Sequence, residues 1–198
     1  EVGNMEVMAV LSRATNVISE GEVQQLCHIR NPKTTESEYM EIITRKTATL
    51  FQAAAQSGAI IAGADKKEID AIGNYALHLG IAFQLMDDNL DYFGQPEALG
   101  KNIGDDFTEG KVTLPIIATI KNGNAEQVRF LKDAVMKGKK EDLENVLEIV
   151  KKTGGFEYTL EIAAKEKCKA LSCLSHMPKS NFRDSLRDLA EFSIERNN

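Results

Sequence analysis

The chain has 198 residues, of which 42% are apolar and 27% charged, and a formal net charge of −6. That is enough for one domain with a substantial core, and its acidity argues against general nucleic-acid binding. No apolar run approaches the ~20 residues a membrane-spanning helix needs.

Almost every segment repeats at the helical period. From about residue 2 to 29, Val7, Val10, Leu11, Ala14, Val17 and Ile18 fall on one side of a helix that Asn31-Pro32 ends. The chain opens on Glu1 with that pattern already running, so residues 1–198 read as the C-terminal portion of a single longer domain. On that reading the N-terminal helices, and half of the active site, lie elsewhere. Thr35-x-x-Glu38 is a capping box for a second helix running to about Gly63, and Asp65-x-x-Glu68 opens a third running to about Phe93. This third helix would be roughly 40 Å long. A loop punctuated by Gly94, Pro96, Gly100, Gly104 and Gly110 follows. Thr113 and Pro115 fit a helix start, Asn124-x-x-Gln127 another, and Gly138 precedes a helix at about 141–152 that Gly154-Gly155 ends. Two last helices, about 157–174 and 180–196, flank Pro178. The fold class is all-α, a bundle of long antiparallel helices with no strand.

Cys27, Cys168 and Cys173 lack Cys-x-x-Cys spacing. They are read as buried thiols in a reducing, cytoplasmic compartment, not as a disulfide frame or zinc site. His28, His78 and His176 share no ligand spacing and are read as structural or surface residues. The small residues Ala53, Ala54, Ala55, Ser57, Gly58, Ala59, Ala62 and Gly63 are read chiefly as close helix packing.

The chemistry concentrates late in the third helix, in Gly80-Ile-Ala-Phe-Gln-Leu-Met-Asp-Asp-Asn-Leu-Asp-Tyr92. Asp87 and Asp91 are one turn apart on one face, and Gln84 lies on the same stripe as Asp87 and Asp88. Clustered carboxylates that lose hydration call for a cation, and an all-oxygen set favours Mg²⁺ over zinc. The glycine-punctuated loop adds Lys101 and Lys111, cations suited to phosphate oxygens, although a solvated surface role fits each alone as well. Its spacing matches neither a P-loop nor an EF-hand. Arg45-Lys46-Thr47-Ala48 sits mid-helix in an apolar stretch, either aimed inward at an anion or forming an exposed flank. Together these features suit a Mg²⁺-held diphosphate head with a hydrocarbon tail.

At these residues the chain resembles the trans-isoprenyl diphosphate synthase family over nearly its whole length. Phe83-Gln-Leu-Met-Asp-Asp-Asn-Leu-Asp91 looks like the family's second aspartate-rich motif. Gly100-Lys-Asn-Ile-Gly-Asp-Asp106 and Glu109-Gly-Lys-Val-Thr-Leu-Pro115 look like the segments after it. Lys46-Thr47-Ala48 with Leu50-Phe51 matches its Lys-Thr motif. Ser19-Glu-Gly-Glu22 with Gln25-Leu26 is similar to the bacterial-type long-chain polyprenyl synthases. The resemblance implies an all-α isoprenoid-synthase fold and a prenyltransferase. Such an enzyme condenses isopentenyl diphosphate with an allylic prenyl diphosphate to give a linear all-trans polyprenyl diphosphate. It further implies Mg²⁺ at Asp87, Asp88 and Asp91, with Asp87 the direct ligand and the other two supporting it. Lys46, Lys101 and Lys111 would hold the allylic diphosphate, and Thr47 and Gln84 would turn oxygens to the developing cation. A cytoplasmic homodimer is implied, with at most peripheral membrane contact through the product. The first aspartate-rich motif is absent from the chain, so residues 1–198 alone are expected to be inactive.

Three rival readings differ in class. A terpene cyclase of the same fold would carry Asn/Asp-x-x-Ser/Thr-x-x-x-Glu where this chain has Asp-Asp-x-x-Asp. A non-catalytic subunit of a heteromeric synthase would carry degenerate aspartates. A structural bundle would not bind diphosphate.

Overall fold

The computed structural model of the protein describes residues 3–93 and 103–195. Helix α1 (Met5–His28) is capped by Asn4, whose side chain accepts the N–H groups of Glu6 and Val7. Its buried residues, Val7, Ala14 and Gly21, recur every seventh position, so α1 presents a narrow seam and leaves most of its surface open. Thr35 and Glu38 form the expected capping box at the start of α2 (Glu36–Ile43). The second helix is not regular, however. A π-helical turn, Thr44–Ala48, interrupts it before α3 (Thr49–Ile61). The Thr49 backbone N–H and hydroxyl both reach the Thr44 carbonyl, closing the wider ring.

Helix α4 (Lys66–Phe93) has 28 residues, which is about 42 Å of rise, and it packs most extensively against α3 and α9. After it come α5 (Asp105–Glu109), α6 (Leu114–Asn122) and α7 (Ala125–Lys137). The remaining helices are α8 (Leu143–Lys152), α9 (Gly155–Cys173) and α10 (Asn181–Glu195). No strand occurs among the described residues. Leu85 and Met86 of α4, Phe107, Leu114 and Ile116, Leu131 and Val135, and Val146 and Val150 are fully buried in one core. The rings of Tyr92 and Phe156 meet there with centroids 6.0 Å apart.

Several sequence expectations change at this level. The short α5 was not foreseen, because five residues cannot display a helical period. Gly154 alone makes the break before α9, in left-handed conformation, while Gly155 opens the next helix. Thr113 sits at the N-cap of α6 but caps nothing, since its hydroxyl pairs with that of Tyr92. The thiols are not all buried: Cys27 and Cys168 are exposed and Cys173 is half-buried, because the first two lie on open faces of α1 and α9. In the small-residue stripe of α3, Ala53 is buried while Ala54, Gly58, Ala62 and Gly63 are exposed, so packing accounts for only part of it. The structural reading of His78 fits: its Nδ1 lies 2.7 Å from Glu166.

The π turn is gripped from two sides. A Cβ on Gly21 of α1 would sit 2.7 Å from the Lys46 nitrogen, and one on Gly80 of α4 would sit 2.7 Å from the Ala48 Cα. Both neighbours are backbone, which cannot swing aside. Gly80→Ala should therefore cost about 1–2 kcal/mol in urea unfolding, the overpacking exceeding the ~1 kcal/mol gained in helix propensity. A second expectation concerns pH. Burial works to raise the Glu166 pKa, but hydrogen bonds from His78 and Lys169 outweigh it and hold the carboxyl below its ordinary range. A lowered folded pKa gives stability that is present above the unfolded value of ~4.3 and is lost as pH falls through the folded value. Glu166→Gln should thus lower the melting temperature at pH 6, and the difference should shrink toward zero below about pH 4.

Candidate active site

A cavity of about 220 Å³ opens where the end of α1, the α2–π-turn rod, α4 and the segment after α5 converge. Lys46, Thr47, Gln84, Asp87, Asp88 and Lys111 all line it. Lys46 and Thr47, neighbours within the π turn, both line it. Asp91 is half-buried one turn beyond Asp87 and is not among the lining residues. Lys101 lies outside the described residues.

The carboxylates differ sharply in environment. Asp87 is half-buried and faces the cavity. Asp88 is buried, and both its oxygens are engaged: Oδ2 accepts the Tyr39 hydroxyl and Oδ1 accepts the Gln84 amide, each at 2.6 Å. The Thr47 hydroxyl donates to the other end of that amide, Gln84 Oε1, at 2.9 Å. Burial raises the Asp88 pKa, the neighbouring charges of Asp106 and Asp87 raise it further, and the bonds from Tyr39 and Gln84 oppose them. Asp91 is pushed up to about 7, by burial first and then by the Asp106 charge, against the Asp106 N–H it accepts at 3.2 Å. Burial and the Asp88 charge hold the Tyr39 hydroxyl well above its ordinary pKa, so it remains a donor.

The cations are held in different ways. Lys46 Nζ donates to Gln25 Oε1 at 2.7 Å and pairs with Glu22 at 3.1 Å. Lys111 pairs with Asp106 and Glu109, both at 2.8 Å. Burial works against the Lys111 ammonium, but those two partners outweigh it and keep its pKa above the lysine norm. The backbone just before Lys111 is fixed by Arg30, a left-handed residue (φ 56) following α1, whose N–H donates to the Gly110 carbonyl at 2.7 Å. The Arg30 stem lies over Gly110, where a Cβ would meet its Cγ at 2.6 Å, and its guanidinium lies over Gly138.

Among the described residues, no three carboxylate, imidazole or thiol groups converge closely enough to enclose a metal by themselves. What the cavity offers is a set of carboxylate, hydroxyl and amide oxygens, with the Lys46 and Lys111 ammonium groups and the His28 imidazole beside them. That donor set suits a hard ion such as Mg²⁺, which keeps waters and shares its coordination with phosphate oxygens. The raised pKa values of Asp88 and Asp91 mark carboxylates whose ionised form a nearby cation would favour. Sequence reasoning missed Tyr39 and Asp106 as lining residues. Tyr39 reads as one more apolar position on α2, and Asp106 lies off the periodic helix in a short turn.

An all-α bundle with an acidic cavity flanked by lysines is the class that fold and site define. Residues 1–152 match the family model described as polyprenyl synthetase, and the chain belongs to that family. It is 40% identical to the octaprenyl diphosphate synthase of Haemophilus influenzae over 198 residues, covering 100% of this chain and 60% of that protein. It is 42% identical to the octaprenyl diphosphate synthase of Escherichia coli over 196 residues, covering 98% and 61% respectively. A crystal structure of a polyprenyl synthase from Caulobacter crescentus, complexed with calcium and isoprenyl diphosphate, superimposes with a TM-score of 0.95. Identity there is 39%, over 100% of this chain and 61% of the other. The chain thus spans about 60% of the length of these relatives.

The Arg30 contact makes Gly110 (φ +86) hard to replace. Gly110→Ala would strain a left-handed backbone and collide with the Arg30 stem, and should cost about 1–3 kcal/mol in chemical denaturation.

Proposed function

We propose that this chain is part of a Mg²⁺-dependent trans-polyprenyl diphosphate synthase. The whole protein would condense isopentenyl diphosphate with an allylic prenyl diphosphate to give a linear all-trans polyprenyl diphosphate. The observation that carries the reading is that one cavity collects Lys46, Thr47, Gln84, Asp87 and Lys111, residues far apart in sequence. The family membership and the likeness to octaprenyl diphosphate synthases support it.

On this reading Asp87 holds Mg²⁺ directly, and Asp88 and Asp91 support it. Mg²⁺, when bound, supplies positive charge that stabilises the departing diphosphate. Lys46, Lys101 and Lys111 take the oxygens of the allylic diphosphate, and Lys111 must first exchange part of its pairing with Asp106 and Glu109 for the ligand. As the allylic carbon–oxygen bond breaks, Thr47 and Gln84 present oxygens to the positive charge on carbon. Ile42, Ile43 and Val112 line the same cavity and limit the water that would otherwise trap that charge. The isopentenyl double bond then forms the new carbon–carbon bond, and a proton leaves.

The activity is assigned to a protein of the relatives' length, with the first aspartate-rich motif in place beside the one that Asp87, Asp88 and Asp91 form here. Residues 1–198 alone, with one carboxylate helix, would bind Mg²⁺-diphosphate weakly and make no product. A homodimer is part of the reading, supported by the apolar residues Met8, Leu11, Val23 and Leu26 exposed along α1. No described helix is long and apolar enough to cross a membrane. A cytoplasmic location is supported by the free thiols, two of them exposed. Intact Asp87, Asp88 and Asp91 weigh against a non-catalytic subunit.

The test is incorporation of labelled isopentenyl diphosphate into a longer lipid by the full-length protein. Asp87→Ala should lower turnover by about 10²-fold or more. Near-normal turnover in saturating Mg²⁺ would remove Asp87 from the metal site.

A further inference from the structure

Tyr39, Asp88, Gln84 and Thr47 form a continuous hydrogen-bonded line across the cavity wall, drawn from α2, α4 and the π turn. Its polarity can be worked out end to end. Asp88 accepts at both oxygens, from the Tyr39 hydroxyl and from Gln84 Nε2, so the Gln84 group that faces it is the amide N–H₂, the only arrangement an ionised carboxylate permits. Gln84 Oε1 therefore points at Thr47, and the Thr47 hydroxyl must spend its one proton on it. Both lone pairs of Thr47 Oγ1 are then left for the cavity. If the Gln84 amide turned over, its N–H₂ would face Thr47, and the hydroxyl proton would be free to point inward. A donor proton there would repel developing positive charge, whereas lone pairs attract it.

What prevents the turnover is the orientation of Asp88. Its side chain is held at both oxygens, one by Gln84 and one by Tyr39, and Tyr39 is 4% exposed and lies on another helix. Without the Tyr39 hydroxyl the carboxylate keeps one anchor and can swing away from Gln84, and only then is the amide free to turn over, since a carboxylate that stays against it accepts through either oxygen. We propose that Tyr39 is a positioning residue that, through Asp88 and Gln84, fixes the Thr47 hydroxyl with its lone pairs toward the reacting carbon. The proposal rests on the prenyltransferase reading. It assigns Asp88 a principal duty different from that of Asp87: setting the polarity of an amide rather than carrying the metal. The elevated pKa of Tyr39 is consistent with a donor that keeps its proton.

Two measurements test this, and they fail separately. In the full-length protein, Tyr39→Phe should lower kcat by about tenfold, with KM for the allylic substrate and half-saturating Mg²⁺ within about twofold of wild type. Asp87→Asn, by contrast, should raise the Mg²⁺ requirement. In a Thr47→Val background, Tyr39→Phe should change kcat by less than about twofold, because the group it orients is gone. A full further drop there, or a Mg²⁺ shift that follows Asp87→Asn, would overturn the proposal and leave Tyr39 a packing residue or part of the metal site. The second measurement needs no turnover: hydrogen exchange of the Gln84 side-chain amide by NMR on the full-length protein. Tyr39→Phe should speed that exchange by about tenfold while backbone exchange of α4 stays unchanged. Unchanged Gln84 exchange would refute the orientation role even if the enzyme proved active. Faster exchange in a protein without prenyltransferase activity would keep the orientation and sink the function.

Discussion

Negative charge gathered at one end of a largely buried helix is the constraint that the rest of this structure answers. Asp87, Asp88, Asp91 and Asp106 lie together, and burial makes their mutual repulsion costly. The protein meets that cost with specific donors. Tyr39 and Gln84 take Asp88, the Asp106 N–H takes Asp91, and Lys111 takes Asp106. Only Asp87 is left facing the cavity without a described donor of this kind holding it in place. That asymmetry leaves one carboxylate of the acidic motif open to the cavity while its neighbours are engaged by protein donors.

The second requirement is geometric. A regular α-helix turns neighbouring residues about 100° apart, so a lysine and the following threonine do not share a narrow target. Lys46 and Thr47 both line the cavity from within the π turn, and the chain invests in keeping that turn. Thr49 closes it from within, and Gly21 and Gly80 let α1 and α4 press on it from opposite sides. Helix packing and site geometry are in this respect one problem.

The sequence made much of this legible, and the reasons for the rest are physical. Capping boxes at Thr35 and Asn124, and the long period from Asp65 to Phe93, place α2, α7 and α4 closely. Asp87, Gln84, Lys46, Thr47 and Lys111 line one cavity. The π turn was not legible, because a single inserted residue barely disturbs an apolar stripe. Nor was Tyr39, whose partner Asp88 is 49 positions away, beyond any local pattern. The thiols were misjudged because cysteine burial is a statistical tendency, and the open faces of α1 and α9 set the outcome here.

Helix α1 is a stiff rod of 24 residues, about 36 Å long, and only a narrow seam of it is buried. At its far end, one hydrogen bond and one arginine stem tie it to the residue before Lys111. A stiff rod transmits displacement along its length with little loss. A displacement of α1 would therefore be felt at the backbone of Gly110, one residue before Lys111, far from the seam where the helix is buried.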